Sequence, residues 1–292
     1  MQNVPSLILA SMRPKQWVKN SVIFAALIFS QNLFHLRDLV VSIAAFAIFC
    51  LASGGVYLLN DLLDMDIDQK HPKKFYRPLA SGKLSPIIAK ITLIIVFIIS
   101  LLASLVINLP FTMIVLGYLA LQAAYSTFLK EVVILDVFSI AAGFFLRVMA
   151  GAKAIEVPVS SWLLICTIFI SLFLGLGKRR HELVLLGEDA TKHRQVFHEY
   201  NISLLDQMIS IVTAGTVISY SLYTLSHETI RKFNTENLWF TIPIVLYGIF
   251  RYLYLVYRKE EGSNPELTLF EDKPLLIVIA FYVVVVGMIL YL

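Results

Sequence analysis

The chain has 292 residues, of which 58% are hydrophobic and only 15% charged, with a formal net charge of +4. A soluble domain is nearer half apolar and a quarter charged, and here the excess is gathered into long apolar runs separated by short polar islands. That pattern excludes a water-soluble globular protein and leaves room for about eight or nine membrane spans of ~20 residues each. The expectation is one all-α integral membrane domain over residues 1–292, with no soluble module and no nucleic-acid partner.

In chain order, Pro5–Met12 reads as a short interfacial helix. Arg13, Lys15 and Lys19 follow the apolar Leu7-Ile8-Leu9 rather than precede it, an order that does not suit a cleaved signal peptide. Spans are expected at Trp17–Leu33, Leu39–Leu63, Pro86–Ile107, Phe111–Phe128, Val132–Ala150, Val159–Leu176, Leu204–Leu225, Leu238–Tyr257 and Pro274–Leu292. Helices are required because backbone groups facing lipid must be satisfied within the segment, and the runs are too continuous for a barrel. Cys50 and Cys166 lie inside apolar runs and read as small hydrophobes, with no disulfide or metal site.

Lys and Arg divide between alternate loops by about four to one. One side collects Arg13, Lys15, Lys19, Lys70, Lys73, Lys74, Arg77, Lys83, Lys130, Lys178, Arg179, Arg180, Lys192, Arg194, Arg258, Lys259 and Lys273. The other has only Arg37, Lys153, Arg231 and Lys232. The rich side is cytoplasmic by the positive-inside rule. Nine spans then place the amino terminus inside and the carboxyl terminus outside, and the expected location is the cell's inner (cytoplasmic) membrane. The two long loops, Asp64–Ser85 and Lys178–Ser203, both fall on the cytoplasmic side, where they would cap the bundle.

The second span ends in an NDxxDxxxD motif. On a helix Asn60, Asp64 and Asp68 form one stripe with Asp61 beside it, while Asp66 faces elsewhere. Clustered carboxylates at a membrane surface need a counter-charge, and hard oxygens at this spacing suit Mg²⁺, with Mn²⁺ as the alternative ion. A solvated acidic helix end is the plainer reading. Lys73, Lys74 and Arg77 follow at once, and acids beside cations are what a metal–diphosphate complex needs. Simple positive-inside anchoring would also account for those cations. At the end of the sixth span, Gly175–Glu182 packs Lys178, Arg179 and Arg180 against Glu182, either as an anchor or as a second anion-binding group. Tyr125, Lys130, Asp136 and Arg147 lie across the fourth and fifth spans. Asp136 sits near enough to the cytoplasmic surface to join a site, whereas Arg147, three turns deeper, reads as structural or lipid-phosphate binding. His35, His193, His198 and His227 lack ligand spacing and read as loop residues.

The segment Asn60–Ser85 (NDLLDMDIDQKHPKKFYRPLASGKLS) resembles the first aspartate-rich motif and following loop of the UbiA superfamily of intramembrane prenyltransferases. That resemblance covers nearly the whole chain. It implies a nine-helix bundle with a cytoplasmic cap. RPKQWVKN at Arg13–Asn20, YSTFLK at Tyr125–Lys130, LDVFSIAAGFFLRVMAG ending at Gly151, and GKRRHEL at Gly177–Leu183 are similar to the phosphoribosyltransferase branch. Its members join phosphoribosyl diphosphate to a decaprenyl-type polyprenyl phosphate and release diphosphate. Ordinary members carry a second DxxxD motif after the sixth span. Here that place reads GKRRHEL, followed by Glu188-Asp189, and the extra positive charge suits a site holding more phosphate.

The resemblance implies that Asn60, Asp61, Asp64 and Asp68 hold the metal and that Lys73, Lys74 and Arg77 bind the diphosphate. Lys178, Arg179 and Arg180 would take the 5-phosphate or the lipid phosphate. Lys15, Lys19, Tyr125, Lys130, Asp136 and Glu182 complete the substrate-binding set. The polyprenyl phosphate would enter from among the membrane lipids, for a role in cell-envelope precursor synthesis. A prenyltransferase moving an isoprenyl group from its diphosphate to another acceptor is the alternative on the same fold. A transporter would place its acids near the midplane on broken helices. The sequence leaves a homo-oligomer open.

Overall fold

The computed structural model describes residues 3–70, 74–186, 195–258 and 271–291, and every regular element among them is helical. Among the described residues, eight helices are long and apolar enough to cross a membrane. The described chain falls into two compact units, residues 1–130 with 146–158, and residues 131–145 with 159–292.

The first unit opens with α1 (Val4–Ser11), a 3₁₀ segment (Pro14–Ile23) and α2 (Phe24–Phe29). Three long helices follow, α3 (Leu36–Leu63), α5 (Pro86–Ile107) and α6 (Leu109–Thr127), with the short α4 (Met65–Lys70) directly after α3. Pro86 opens α5 at a position where its missing N–H costs nothing. Asn108, in extended conformation, stops α5 and starts α6, its side-chain oxygen accepting from the Phe111 N–H at 2.8 Å. Small residues let α3 pack closely: a Cβ on Gly55 would stand 2.5 Å from the Phe97 ring of α5. One apolar core joins Phe49, Phe111, Val115, Tyr118 and Ala150. Another joins Leu7, Met12, Leu58, Leu79 and Leu84, and seats α1 and the loop after α4 on the aspartate-bearing end of α3. On α5, Ile94, Ile98, Leu102 and Leu105 face outward, as a helix bordering lipid requires.

The first expected span differs in kind from the other eight. Its residues form the 3₁₀ segment and then α2, not one α-helix. At ~2.0 Å rise per 3₁₀ residue and ~1.5 Å per α residue, Pro14–Phe29 still covers about 29 Å, close to the hydrocarbon thickness of ~30 Å. The tight winding has local causes. The buried Asn20 amide donates to Ser53 Oγ at 3.1 Å and accepts from Arg147 Nε at 2.8 Å. A Cβ on Gly151 would lie 2.0 Å from the Ile23 carbonyl oxygen, so only glycine admits this backbone approach.

Helix α7 (Leu135–Ala154) contributes its first turns to the second unit and its last to the first. The second unit continues with α8 (Ser161–Leu186), a 3₁₀ turn at Gln195–His198, α9 (Ile202–Leu225), α10 (His227–Phe233), α11 (Ile242–Arg258) and α12 (Lys273–Tyr291). Asn201 caps α9 by accepting from the Leu204 N–H, and Asp272 caps α12 by accepting from the Leu275 N–H. Val137, Leu172, Leu176, Val196, Phe197, Leu205, Tyr252 and Leu255 belong to its core.

Candidate functional site

The aspartates of the first unit sit at a helix break. Helix α3 ends at Leu63, Asp64 is its C-cap (φ −95°, ψ 7°), and α4 starts at Met65. Helical hydrogen bonding nonetheless runs through the break, from Asp64 N–H to the Asn60 carbonyl and from Asp68 N–H to the Asp64 carbonyl. Asp64 and Asp68 thus keep helical spacing, but their side chains take different partners. Asp61 and Asp68 are the two that converge, both almost fully buried. Arg77 lies between them, with Nη1 bonded to Asp68 Oδ2 and 3.2 Å from Asp61 Oδ1. Arg13 grips the same Asp61 oxygen, its guanidinium stacked on the Tyr57 ring with the centroid at 4.9 Å. Lys74 Nζ stands 3.8 Å from Asp68 Oδ1. Asp64 turns to Lys130, whose Nζ donates to Oδ1 at 2.8 Å. Asp66 is exposed, and Asn60 is half-buried.

Close carboxylates require positive charge, and Arg13, Arg77, Lys74 and Lys130 supply it. Two atoms bear on whether a hard cation would fit. Asp68 Oδ1 is buried and has no hydrogen-bond partner among the described residues, and Asp61 shares its wall through Arg77. An all-oxygen donor set of this type is chemistry that Mg²⁺ accepts. Among the described residues, no three His, Cys, Asp or Glu side chains converge on one point.

Arg13 was legible as a cytoplasmic charge and as the first residue of RPKQWVKN, but not as a partner of Asp61. It holds φ at 53°, unusual for a residue before proline, which favours extended backbone. Lys15 is exposed, Lys19 and Tyr125 are half-buried, and Lys73, with Glu188 and Asp189, lies outside the described residues.

The second unit carries its own ionised cluster. Asp136, fully buried in the first turn of α7, accepts from Arg179 Nε at 2.6 Å and from the Tyr200 hydroxyl at 2.7 Å. Arg179 Nη1 also donates to Glu182 at 2.8 Å. Tyr200 stands between this carboxylate and the backbone, because the Ile134 N–H donates to its oxygen at 2.8 Å. Ile134 has φ 69°, a conformation that a β-branched residue adopts only under constraint. Burial pushes the Tyr200 phenol well up, and its bond to the Asp136 carboxylate and that group's negative charge push it further. The phenol therefore stays a proton donor. No sequence signal marked Tyr200, whose partner lies 64 residues away. Arg180 faces elsewhere: Nε bonds Asp206 Oδ1 at 2.6 Å, and its guanidinium lies 4.0 Å over the Tyr257 ring. Lys178 is half-buried.

Arg147, 7% exposed, bonds Asn20 and the Tyr118 hydroxyl and stacks on the Tyr118 ring. It ties α7 to α6 and the 3₁₀ segment.

Lipid-length helices with ionised clusters at helix ends define an integral membrane protein. Residues 21–271 match the UbiA prenyltransferase family, and the chain belongs to that family. It is 30% identical to the decaprenyl-phosphate phosphoribosyltransferase of Corynebacterium glutamicum, over 100% of this chain and 89% of that one. With the enzyme of the same name from Mycolicibacterium smegmatis it shares 29% identity over 99% and 94% of the two chains. Among solved structures, a UbiA homologue from Archaeoglobus fulgidus bound to GPP and Mg²⁺ superposes with a TM-score of 0.72. The two share 20% identity, over 98% of this chain and all of that one, a likeness of fold.

Proposed function

We propose that residues 1–292 act as one membrane domain that transfers 5-phosphoribosyl from phosphoribosyl diphosphate to a polyprenyl phosphate. The observation that carries this reading is the near full-length similarity to phosphoribosyltransferases with that acceptor. The clustering of Asp61, Asp64 and Asp68 among four cations supports it. A lipid phosphate oxygen bonds to the anomeric carbon as the bond to diphosphate breaks, and diphosphate leaves. The attacking oxygen is already anionic, so no general base is needed. Asn60, Asp61, Asp64 and Asp68 would hold Mg²⁺, which when bound supplies stabilisation of charge on the leaving diphosphate. Arg77, Lys74 and Lys73 orient diphosphate oxygens, and Arg13 holds Asp61 in place.

At the end of α8 we assign the 5-phosphate or lipid phosphate to Lys178. Arg179, 1% exposed and held by two carboxylates, acts as a positioning residue with Asp136, Glu182 and Tyr200. Arg180 is turned toward Asp206 and is assigned no substrate phosphate. Lys15, Lys19, Tyr125 and Lys130 remain in the substrate-binding set, Lys130 through Asp64. The clusters face the cytoplasm, with the amino terminus inside and the carboxyl terminus outside.

The test is purified protein with Mg²⁺, radiolabelled phosphoribosyl diphosphate and a polyprenyl phosphate. Label in the organic extract that disappears with chelator or with Asp64→Asn/Asp68→Asn supports the reading. Unlabelled lipid from protein that consumes a prenyl diphosphate would mean that the donor is a prenyl diphosphate.

A further inference from the structure

Between α9 and α11 the second unit carries an open groove of about 900 Å³ that none of the roles above uses. Its walls are apolar, formed by Ile209, Val217, Ile218, Leu246, Phe250 and Leu253. One end is polar. There Asp206, near the start of α9, meets Tyr257, near the end of α11, with the hydroxyl 2.8 Å from Asp206 Oδ1. From Asp206 to Ile218 the α9 wall is about 18 Å long at ~1.5 Å per residue. Half of a ~30 Å hydrocarbon core is about 15 Å, so the groove has the depth of a single leaflet, with its polar end where a headgroup would sit.

Among the wall residues Asp206 is the one charged side chain, and Arg180, 14% exposed, stands beside it outside the wall. Arg180 bonds Asp206 through Nε and stacks on Tyr257. Among the described residues both bonds to Asp206 fall on Oδ1, and the carboxylate side chain is 36% exposed. Oδ2 is thus placed to accept from a cation outside the protein. The guanidinium is a fork of five donors suited to phosphate.

We propose that this groove binds a zwitterionic glycerophospholipid with a primary ammonium headgroup, of the phosphatidylethanolamine class. Its ammonium lies on Asp206, its phosphate beside Arg180 at the polar end, and one acyl chain runs between α9 and α11. A lone lipid phosphate, including the polyprenyl phosphate, would bring its negative charge against Asp206 with nothing to offer that carboxylate. A neutral pair of opposite charges fits a zwitterion better than an anion.

The test is native mass spectrometry of the full chain in mild detergent. It is titrated with phosphatidylethanolamine, phosphatidylglycerol or polyprenyl phosphate. Wild type is expected to retain one phosphatidylethanolamine with about tenfold preference over phosphatidylglycerol, the scale of one charged contact. Asp206→Asn is expected to remove that preference, and Ala214→Trp, which fills the groove, to remove retention. Equal retention of the two phospholipids by wild type, or unchanged retention by Ala214→Trp, overturns the proposal, as does displacement by polyprenyl phosphate. Should Ala214→Trp not fold, a photoreactive phosphatidylethanolamine on wild type decides. Crosslinks to the facing sides of α9 and α11 support the site, and crosslinks confined elsewhere refute it.

Discussion

Removing the Arg77 guanidinium would leave Asp61 and Asp68 facing each other in a nearly closed space. Arg13 would remain on Asp61, and Lys74 is 3.8 Å from Asp68. Breaking a buried ion pair by deleting one partner costs about 3–5 kcal/mol. Arg77 is partly exposed, so Arg77→Gln is expected to lose about 3 kcal/mol or less, read as a lowered melting midpoint in detergent. Restoring a carboxylate-free pair, Asp61→Asn with Asp68→Asn on that background, should recover part of the loss while transfer stays absent. Tyr200 makes a second residue-scale case. Its phenol is held above its usual pKa of about 10 by burial and by Asp136. The folded state therefore keeps a proton that the unfolded chain releases first. That contribution is complete below pH ~10 and is lost as pH climbs further. Tyr200→Phe is expected to cost about 1–3 kcal/mol at neutral pH. The gap between wild type and variant should narrow in melts taken above pH ~10.

At the scale of elements, two glycines on similar apolar helices should respond differently. A Cβ on Gly151 meets the Ile23 carbonyl oxygen at 2.0 Å, while one on Gly287 of α12 meets nothing within 4 Å. Gly151→Ala must push the 3₁₀ segment off α7, at about 1–3 kcal/mol or more. Gly287→Ala should be neutral or stabilising by up to about 1 kcal/mol. Equal melting midpoints for the two variants would contradict the backbone approach that shapes the first unit. The break between α3 and α4 belongs to this scale as well. Spacing alone put Asn60, Asp64 and Asp68 on one stripe, and the hydrogen bonds across the break keep that four-residue spacing. Asp61 and Asp68, seven residues and so two turns apart, also share a face, and Arg77 between them makes them the buried pair.

At the largest scale, eight lipid-length helices among the described residues and family membership make it an integral membrane protein, which should stay with membranes through alkaline carbonate washing. The proposed orientation is checked with single cysteines in a Cys50→Ala/Cys166→Ala background. Ser81→Cys should react with an impermeant maleimide only after the cytoplasmic face is opened, and Asn234→Cys without opening. The reverse labelling would invert the topology.

Apolar periodicity, the bias of Lys and Arg and the aspartate motif were enough to establish an all-helical membrane chain. They also singled out Asp61–Asp68 and Lys178–Glu182, the segments in which the structure places buried ion pairs. Such features are local: a span needs only consecutive apolar residues, and a motif only fixed spacing. Tertiary structure decided the pairings. Nothing in the sequence distinguished Arg13 from Lys15, or showed that Arg179 would be sealed against Asp136 while Arg180 turned to Asp206. Each of those choices depends on which helix faces bring distant residues within 3 Å, and in a low-dielectric interior a buried charge takes the partner that packing places beside it.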